Sequence, residues 1–314
     1  MKEKNPLVSV IIPNYNHAPY LDQRIQSVLN QTYDNFEVII LDDKSPDNSV
    51  EVINHYASNP HVSHIVVNKE NSGSTFVQWN RGLELAKGEI IWIAESDDYC
   101  DSTFLADCVR EFCAVPECAV AYCTSEYVDA QNNDLGTYIH YDQPVYHMDG
   151  KDFIRERNAF GCAIWNASSA IFSKKAALAI NKRYQTYKMC GDKLFWILMA
   201  EQGNVVHVNK VMNYFRQHQN KVSPKRFRDG TWLTEEREIY LYQCRQGYLS
   251  GARQAFVLNL YYGKIANGEF DSPEIKKRLL KLWGFDCAFK RMGTSLMSRL
   301  YQYYHIYILH KRPL

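Results

Sequence analysis

Three polar clusters in the first hundred residues have side chains that could bind a metal ion and a phosphate. They are Pro13–Asn16, Asp42–Asp43 and Ser96–Asp98, and each follows an apolar run. Two carboxylates held together in a crevice repel each other unless a cation lies between them. Mg²⁺ and Mn²⁺ commonly fill that role, bound by carboxylates and phosphate oxygens. Asp97 and Asp98 therefore predict a metal–diphosphate site, although an ordinary solvated turn uses the same residue types.

The apolar runs before these clusters have the composition of buried strands, and helical patterns lie between them. We predict strands at Leu7–Ile12, Phe36–Leu41, Val62–Val67 and Glu89–Ala94. We predict helices that begin at Pro19, at Ser45 and at Ser74. This alternating order calls for a mostly parallel α/β sheet flanked by helices. Ligands bind such sheets beyond the carboxyl ends of the strands, where all three polar clusters lie.

The overall composition excludes several classes of protein. The 314 residues carry 36 Lys and Arg against 35 Asp and Glu, and this balance argues against a nucleic-acid-binding protein. Hydrophobic residues at 46% exclude wholesale disorder. No G-x-G-x-x-G or G-x-x-x-x-G-K-[ST] follows the first strand, so a glycine-loop phosphate cradle is not expected. The cysteines form no C-x-x-C pair and no secretory signal precedes the first strand, so we expect a cytoplasmic protein with reduced thiols.

Four segments together resemble family 2 glycosyltransferases of the GT-A fold. They are VSVIIPNYN, LDDKSPDNS, AKGEIIWIAESDD and CGDKLFW, in the family's order over about residues 7 to 220. The resemblance implies a Rossmann-like GT-A domain over residues 1–225. Its nucleotide-binding half is expected at 1–100 and its acceptor half at 101–225. Residues 226–314 are predicted to form a helical C-terminal appendage, because their apolar and aromatic residues have helical spacing and most of the segment lies outside the resemblance.

The resemblance also assigns residues to the nucleotide-sugar donor. Pro13 and Tyr15 match the positions that flank the nucleobase, and Asp43 matches the aspartate that hydrogen-bonds it. Asp97 and Asp98 match the D-x-D motif, the first near the ribose and metal and the second a direct ligand of Mn²⁺ or Mg²⁺. The expected nucleotide-binding set is Pro13, Asn14, Tyr15, Asp43, Asn80 and Asp97.

The expected diphosphate cation is missing from its usual place. Trp79 stands where the family has an arginine, and Arg81 is the nearest cation. The segment from Tyr214 to Ser223 resembles the family's closing Arg-x-His segment, so Arg216 or Lys221 could supply the charge. Within the same segment His218 could complete the metal shell, or it is an ordinary structural or surface histidine.

Asp192 matches the second acid of the family's Glu-Asp motif, in which Gly191 replaces the glutamate. The resemblance makes Asp192 the catalytic base that removes a proton from the acceptor hydroxyl. Its position also suits a first-turn acid that stabilises a helix N-terminus. A single in-line displacement at the anomeric carbon would invert its configuration.

The leading interpretation is a metal-dependent, inverting hexosyltransferase of polysaccharide biosynthesis. It moves a sugar from a nucleotide donor, UDP by family frequency, to a glycan or lipid-linked acceptor. The alternatives are a nucleotidyltransferase and an inactive module that binds a nucleotide-sugar or glycan. Within the tail, Phe289–Leu314 is basic and rich in tyrosine, and predicts a helix that lies on the inner face of the cell membrane or packs on the enzyme.

Overall fold

The computed structural model describes residues 5–136, 142–218 and 223–285, together with Leu296 and Arg299. The chain forms two compact units. The sheet unit comprises residues 1–150, 164–185 and 195–219, and the helical unit comprises 151–163, 186–194 and 220–314. The units therefore differ from the expected division at residue 225, because two internal segments group with the C-terminal helices.

The described strands of the sheet unit join one ten-stranded sheet in the order β3-β2-β1-β4-β9-β6-β10-β5, with β7 on β6 and β8 on β10. The strands are β1 (Val8–Asn14), β2 (Phe36–Asp42), β3 (Val62–Val67), β4 (Ile90–Ile93), β5 (Tyr99–Cys100), β6 (Cys118–Val128), β7 (Asp134–Gly136), β8 (Val145–Met148), β9 (Ala170–Ser173) and β10 (Asn204–Arg216).

The first four strands form the parallel sheet that the sequence predicts. Strand β1 runs parallel to β2 and β4, and β2 runs parallel to β3. All seven residues of β1 and of β2 are buried, as expected for strands covered on both faces. The second half is mixed, since β9 is antiparallel to both neighbours while β6 and β10 are parallel.

Helices follow the strands in the predicted alternation. They are α1 (Ala18–Leu29), α2 (Ser49–Asn54), α3 (Thr75–Leu85), α4 (Phe104–Ala114), α5 (Gly150–Phe153), α6 (Lys174–Ala179), α7 (Gly191–Ala200), α8 (Ser223–Arg228), α9 (Thr231–Arg245), α10 (Gly251–Asn267) and α11 (Pro273–Leu282). The predicted start of α2 at Ser45 is wrong, because the Ser45 hydroxyl donates to Asp42 at 2.6 Å and the chain turns at Lys44, whose φ is +61°. The helix begins four residues later, at Ser49.

The helical unit has an apolar core. Leu233 and Tyr240 of α9 pack with Tyr261 of α10 and with Trp283. The Tyr261 and Trp283 rings stack with centroids 4.3 Å apart, and the Trp283 indole donates to the Leu233 carbonyl at 3.0 Å. Apart from Leu296 and Arg299, both exposed, the predicted tail helix Phe289–Leu314 lies outside the described residues. None of the described helices has the length and apolarity that crossing a bilayer requires.

Candidate active site

The carboxyl end of β1 places one exposed ring beside a buried amide. Pro13 and Asn14 are buried, whereas Tyr15 is 48% exposed. The Asn14 amide nitrogen donates to Asp42 Oδ2 at 2.8 Å, while its buried Oδ1 has no hydrogen-bond partner within the described part of the chain. This edge therefore offers a flat face for stacking.

Asp43 organises the loop between β3 and α3. Its carboxylate accepts from the Asn68 amide at 2.6 Å, from the Gln78 amide at 2.9 Å and from the Ser72 hydroxyl at 2.8 Å. The Ser72 backbone N–H lies 2.9 and 3.1 Å from its two oxygens. A carboxylate has about four acceptor positions. Asp43 thus has an evident structural role, and its recognition of a base stays a prediction.

Three potential metal ligands converge beyond β4. His218 Nε2 lies 3.0 Å from Asp97 Oδ2, and the His218 side chain is 3% exposed. His17 joins them, with one ligand atom from each residue within 4.8 Å of the others. The His17 ring lies edge-on to His218 at 5.4 Å and its Nδ1 is 2.9 Å from the Ser96 hydroxyl. Asp97 and His218 are two of the predicted ligands, whereas His17 was not predicted.

The chemistry of this group suits a divalent cation. Two adjacent ligands of an octahedral ion at ~2.1 Å lie about 3.0 Å apart, which is the separation of the Asp97 and His218 atoms. Among the described residues, His218 Nδ1 is buried without a hydrogen-bond partner, whereas its Nε2 faces Asp97. One carboxylate with two imidazoles favours a transition ion such as Mn²⁺ over Mg²⁺, which prefers oxygen ligands.

Asp98 differs from its predicted role as a direct metal ligand. It is 1% exposed, and its Oδ2 accepts from the Asn166 amide at 2.6 Å and the Ser168 hydroxyl at 2.7 Å. Its Oδ1 accepts from the Arg216 backbone N–H at 3.0 Å, and Arg24 Nη2 lies 4.0 Å from Oδ2. Asp98 therefore joins strands and loops beneath the site, and Asp97 is the aspartate of the metal-ligand group.

Arg216 is also a structural residue rather than a free diphosphate cation. It is 1% exposed, and its Nε donates to the Asp97 carbonyl at 2.7 Å. Its Nη1 donates to the Asp129 carbonyl at 3.0 Å and its Nη2 to Gln23 at 2.8 Å. The guanidinium lies 4.7 Å from the Tyr20 ring centroid. Burial and these donations correct the predicted role.

The other predicted donor residues lie outside this cluster of ligands. Asn80 donates along α3 to Glu84 at 2.7 Å. Arg81 donates to the Asn68 side chain, which itself donates to Asp43. Lys221 lies outside the described residues.

Trp79 and Glu95 form a pair in the sheet unit. The Trp79 indole N–H donates to Glu95 Oε1 at 2.8 Å, and the Trp79 side chain is buried. Burial first, and then the charge of Asp97, raise the pKa of Glu95 to about 8. At the position expected for an arginine, this chain therefore has the neutral Trp79 indole, which donates to Glu95, a carboxyl group with a raised pKa.

Asp192 lies in the helical unit, in the first turn of α7 as predicted. Its Oδ1 accepts from the Lys193 backbone N–H at 2.7 Å. Burial is the main cause that raises the pKa of Asp192 to about 6, and the charge of Glu236 adds to the increase. A carboxylate with that pKa is ionised at neutral pH and is a stronger base than an ordinary aspartate.

A family model described as glycosyl transferase family 2 matches residues 9–175, more than half of the chain. The chain belongs to glycosyl transferase family 2. Among the curated relatives of this family 2 glycosyltransferase is the chondroitin synthase of Pasteurella multocida, 30% identical over 217 residues. That match covers 66% of this chain and 20% of the synthase, so the glycosyltransferase spans about a fifth of that relative's length.

Solved structures support the GT-A fold for this glycosyltransferase. S. aureus TarS 1-349 in complex with UDP aligns with a TM-score of 0.61 at 17% identity, and the match covers 94% of this chain and 90% of that one. The mannosyltransferase PcManGT from Pyrobaculum calidifontis, in complex with GDP-Man and Mn²⁺, aligns with a TM-score of 0.50 at 18% identity, covering 94% and 74%.

Two residues of the site were missed from the sequence although signals were present. His17 follows β1 by three residues, so it lies at the edge where ligands bind. Glu95 and Asp97 have the one-residue spacing of an acid-x-acid motif, which the adjacent Asp97 and Asp98 do not. A turn closed by the Asp98 N–H and the Glu95 carbonyl at 3.2 Å then gives the two aspartates different partners.

Proposed function

We propose that this glycosyltransferase transfers a hexose from a nucleotide-sugar, UDP-linked in the leading case, to a glycan or lipid-linked acceptor with inversion. The proposal that transfer depends on a metal rests on one observation, the cluster of His17, Asp97 and His218 beyond the carboxyl end of the parallel strands. TarS, solved with UDP-GlcNAc as well as with UDP, supports a nucleotide-sugar as donor.

The proposed metal is Mn²⁺, with Mg²⁺ as the second candidate. His17, Asp97 and His218 would hold it. When bound, it supplies positive charge that stabilises the diphosphate leaving group. Arg216 and Arg81 donate to protein groups among the described residues, so we assign neither to the diphosphate.

The nucleoside would lie at the end of β1. Tyr15 offers an exposed ring on which a base can stack, and the neighbouring Asn14, which is buried and donates to Asp42, is retained as a proposed nucleotide contact. Asp43 would keep the loop at Ser72 in place through the hydrogen bonds described above, and we retain base recognition as a proposal for it. Asn80 is the weakest of the proposed contacts, since it donates to Glu84.

Asp192 is the proposed general base. It would accept the proton of the acceptor hydroxyl as the hydroxyl oxygen attacks the anomeric carbon, and the bond from that carbon to the diphosphate oxygen breaks in the same step. The pKa of about 6 keeps Asp192 ionised at neutral pH and well suited to receive that proton. Such a base contributes ~10²–10⁴-fold to the rate.

The acceptor class is proposed from the relatives and not from the site. The similarity to chondroitin synthase supports the proposal of a glycan acceptor and of a role in polysaccharide biosynthesis. A lipid-linked acceptor at the inner face of a membrane would give the predicted tail helix, Phe289–Leu314, a purpose. That helix and a cytoplasmic location stay predictions.

The test is an assay of released nucleoside diphosphate with a panel of nucleotide-sugars and glycan acceptors, with Mn²⁺, with Mg²⁺ and with EDTA. We expect turnover that EDTA abolishes and Mn²⁺ restores. Asp97→Asn should abolish turnover, whereas the matched control Asp34→Asn, on an exposed residue of the same unit, should not. Full activity of Asp97→Asn would refute the metal site. Donor binding without turnover of any sugar would instead favour the inactive binding module.

A further inference from the structure

Two adjacent glutamates of α9 hold the segment that leads into Asp192. The first, Glu235, accepts three consecutive backbone N–H groups with one carboxylate. They are those of Lys188 at 2.7 Å, Met189 at 3.0 Å and Cys190 at 2.8 Å. Hydrogen bonds to an ionised acceptor are about twice as strong as neutral ones. The backbone directly before α7 is therefore fixed by a side chain located about 45 residues later in the chain.

The second glutamate forms a buried charge network with the residue next to Asp192. The Lys193 ammonium donates to Glu236 Oε2 at 2.7 Å, and their side chains are 3% and 8% exposed. Tyr261 of α10 donates its hydroxyl to the same Oε2, and its oxygen lies 3.3 Å from the Lys193 ammonium. Lys264, one turn further along α10, lies 5.1 Å from the Tyr261 ring centroid.

A buried ion pair of this kind contributes little net stability to a fold. Removing two charges from water costs several kcal/mol each, and well-packed apolar residues in their place often stabilise a protein equally well or better. The Lys193–Glu236 pair therefore calls for a role other than holding α7 to α9. Its position supplies one, because the same Lys193 donates its backbone N–H to Asp192 at 2.7 Å.

The network also acts on the charge of Asp192. The Glu236 carboxylate raises the pKa of Asp192 and the Lys193 ammonium lowers it, both in addition to the larger effect of burial. The Cys190 thiol is another titratable group near Asp192, and burial raises its pKa well above its ordinary value, so it stays neutral. The charges that face Asp192 thus come from its own helix and from α9.

We propose that Glu235, Glu236 and Tyr261 are positioning residues for the catalytic base, acting through the backbone of residues 188–190 and through Lys193. The proposal rests on the proposed function of Asp192 as base. It makes α9 and α10 part of the catalytic machinery of this chain and not an appendage. A misplacement of ~1 Å at a reacting group can cost ~10²-fold in rate, so loss of these anchors should lower kcat more than it lowers substrate binding.

The experiment compares full-length variants for kcat, for donor KM and Kd, and for thermal unfolding. Glu235→Gln and Glu236→Gln remove one charge each and keep the shape of the side chain. A triple variant, Lys193→Met with Glu236→Leu and Tyr261→Phe, replaces the whole network by apolar groups so that no buried charge is left unpaired. Glu274→Gln is the matched control on the exposed start of α11.

We expect kcat to fall at least tenfold in both single variants and in the folded triple variant, with donor Kd within twofold of the value for Glu274→Gln. A triple variant that unfolds like the wild type and keeps wild-type kcat would overturn the proposal, because the network would then serve the fold alone. If a single variant fails to fold, the triple variant decides.

Asp192→Asn, measured in parallel, separates this proposal from the function on which it rests. Wild-type transfer by Asp192→Asn would refute the base itself. An inactive Asp192→Asn together with wild-type kcat in the triple variant would refute the positioning role alone.

Discussion

Replacement of Asp192 by asparagine should abolish transfer and stabilise the fold at the same time. Asparagine keeps the oxygen that accepts the Lys193 N–H, but it cannot accept the proton of the acceptor hydroxyl. The expected loss in kcat is ~10²–10⁴-fold, with donor affinity nearly unchanged. Equal losses in donor affinity and in activity would contradict the assignment.

The expected gain in stability follows from the pKa of Asp192. The folded state raises that pKa from 3.8 to about 6, so ionisation of Asp192 opposes folding. At ~1.4 kcal/mol for each pKa unit, the penalty above pH 7 is at most about 3 kcal/mol. Because Asp192 is partly exposed, we expect a gain of ~1–3 kcal/mol for Asp192→Asn at pH 8. This free-energy penalty is absent well below pH 4, reaches about a third of its full value at pH 4.5 and is complete above about pH 7.

Scanning calorimetry at pH 8 and pH 4.5 measures this difference. A gain of 1 kcal/mol raises Tm by ~2–4 °C in a protein of this order of size. We expect the Tm of Asp192→Asn to exceed that of the wild type at pH 8, and the excess to shrink at pH 4.5. An excess that is equal at both pH values, or a Tm below the wild type at pH 8, would refute the reasoning. The comparison variant Glu274→Gln should show the opposite sign: hydrogen bonds from its own backbone N–H and from Ser272 lower the pKa of Glu274, so its Tm should not exceed that of the wild type at pH 8.

Four further substitutions test the sheet unit. His17→Ala and His218→Ala should each weaken Mn²⁺ binding at least ~10-fold in calorimetry, because each removes one of three ligands, and a change below twofold in both would contradict the metal site. Asp98→Asn should destabilise the fold by ~3–5 kcal/mol in urea unfolding, since it leaves the buried Arg24 without its nearby carboxylate, and wild-type stability would show that Asp98 is not the structural aspartate. Arg216→Lys should cost ~2–3 kcal/mol by the same measurement, because an ammonium cannot reach the Asp97, Asp129 and Gln23 acceptors together, and an unchanged midpoint would contradict that account.

The parallel half of the sheet could be predicted because its signals are local and repeated. Apolar runs such as Val8–Ile12 are typical of strands covered on both faces, and the alternation with helices leaves few topologies. The start of α2 could not be predicted in the same way. Ser45 has the sequence environment of a helix N-cap, but its hydroxyl donates to Asp42 and does not cap the helix.

The sequence by itself determined the family, the edge of the sheet at which the candidate site lies and the types of residue present there. Tertiary structure decided which residue of each pair does what. A sequence pattern does not distinguish the adjacent carboxylates of Asp97 and Asp98. In the structure Asp98 is buried among donors from β10 and the loop at Asn166, whereas Asp97 clusters with two histidines. Contacts between residues far apart in the chain cannot be predicted from local spacing. Such contacts pair Arg216 with protein acceptors, and they bring Glu235 and Glu236 to the segment that contains Asp192.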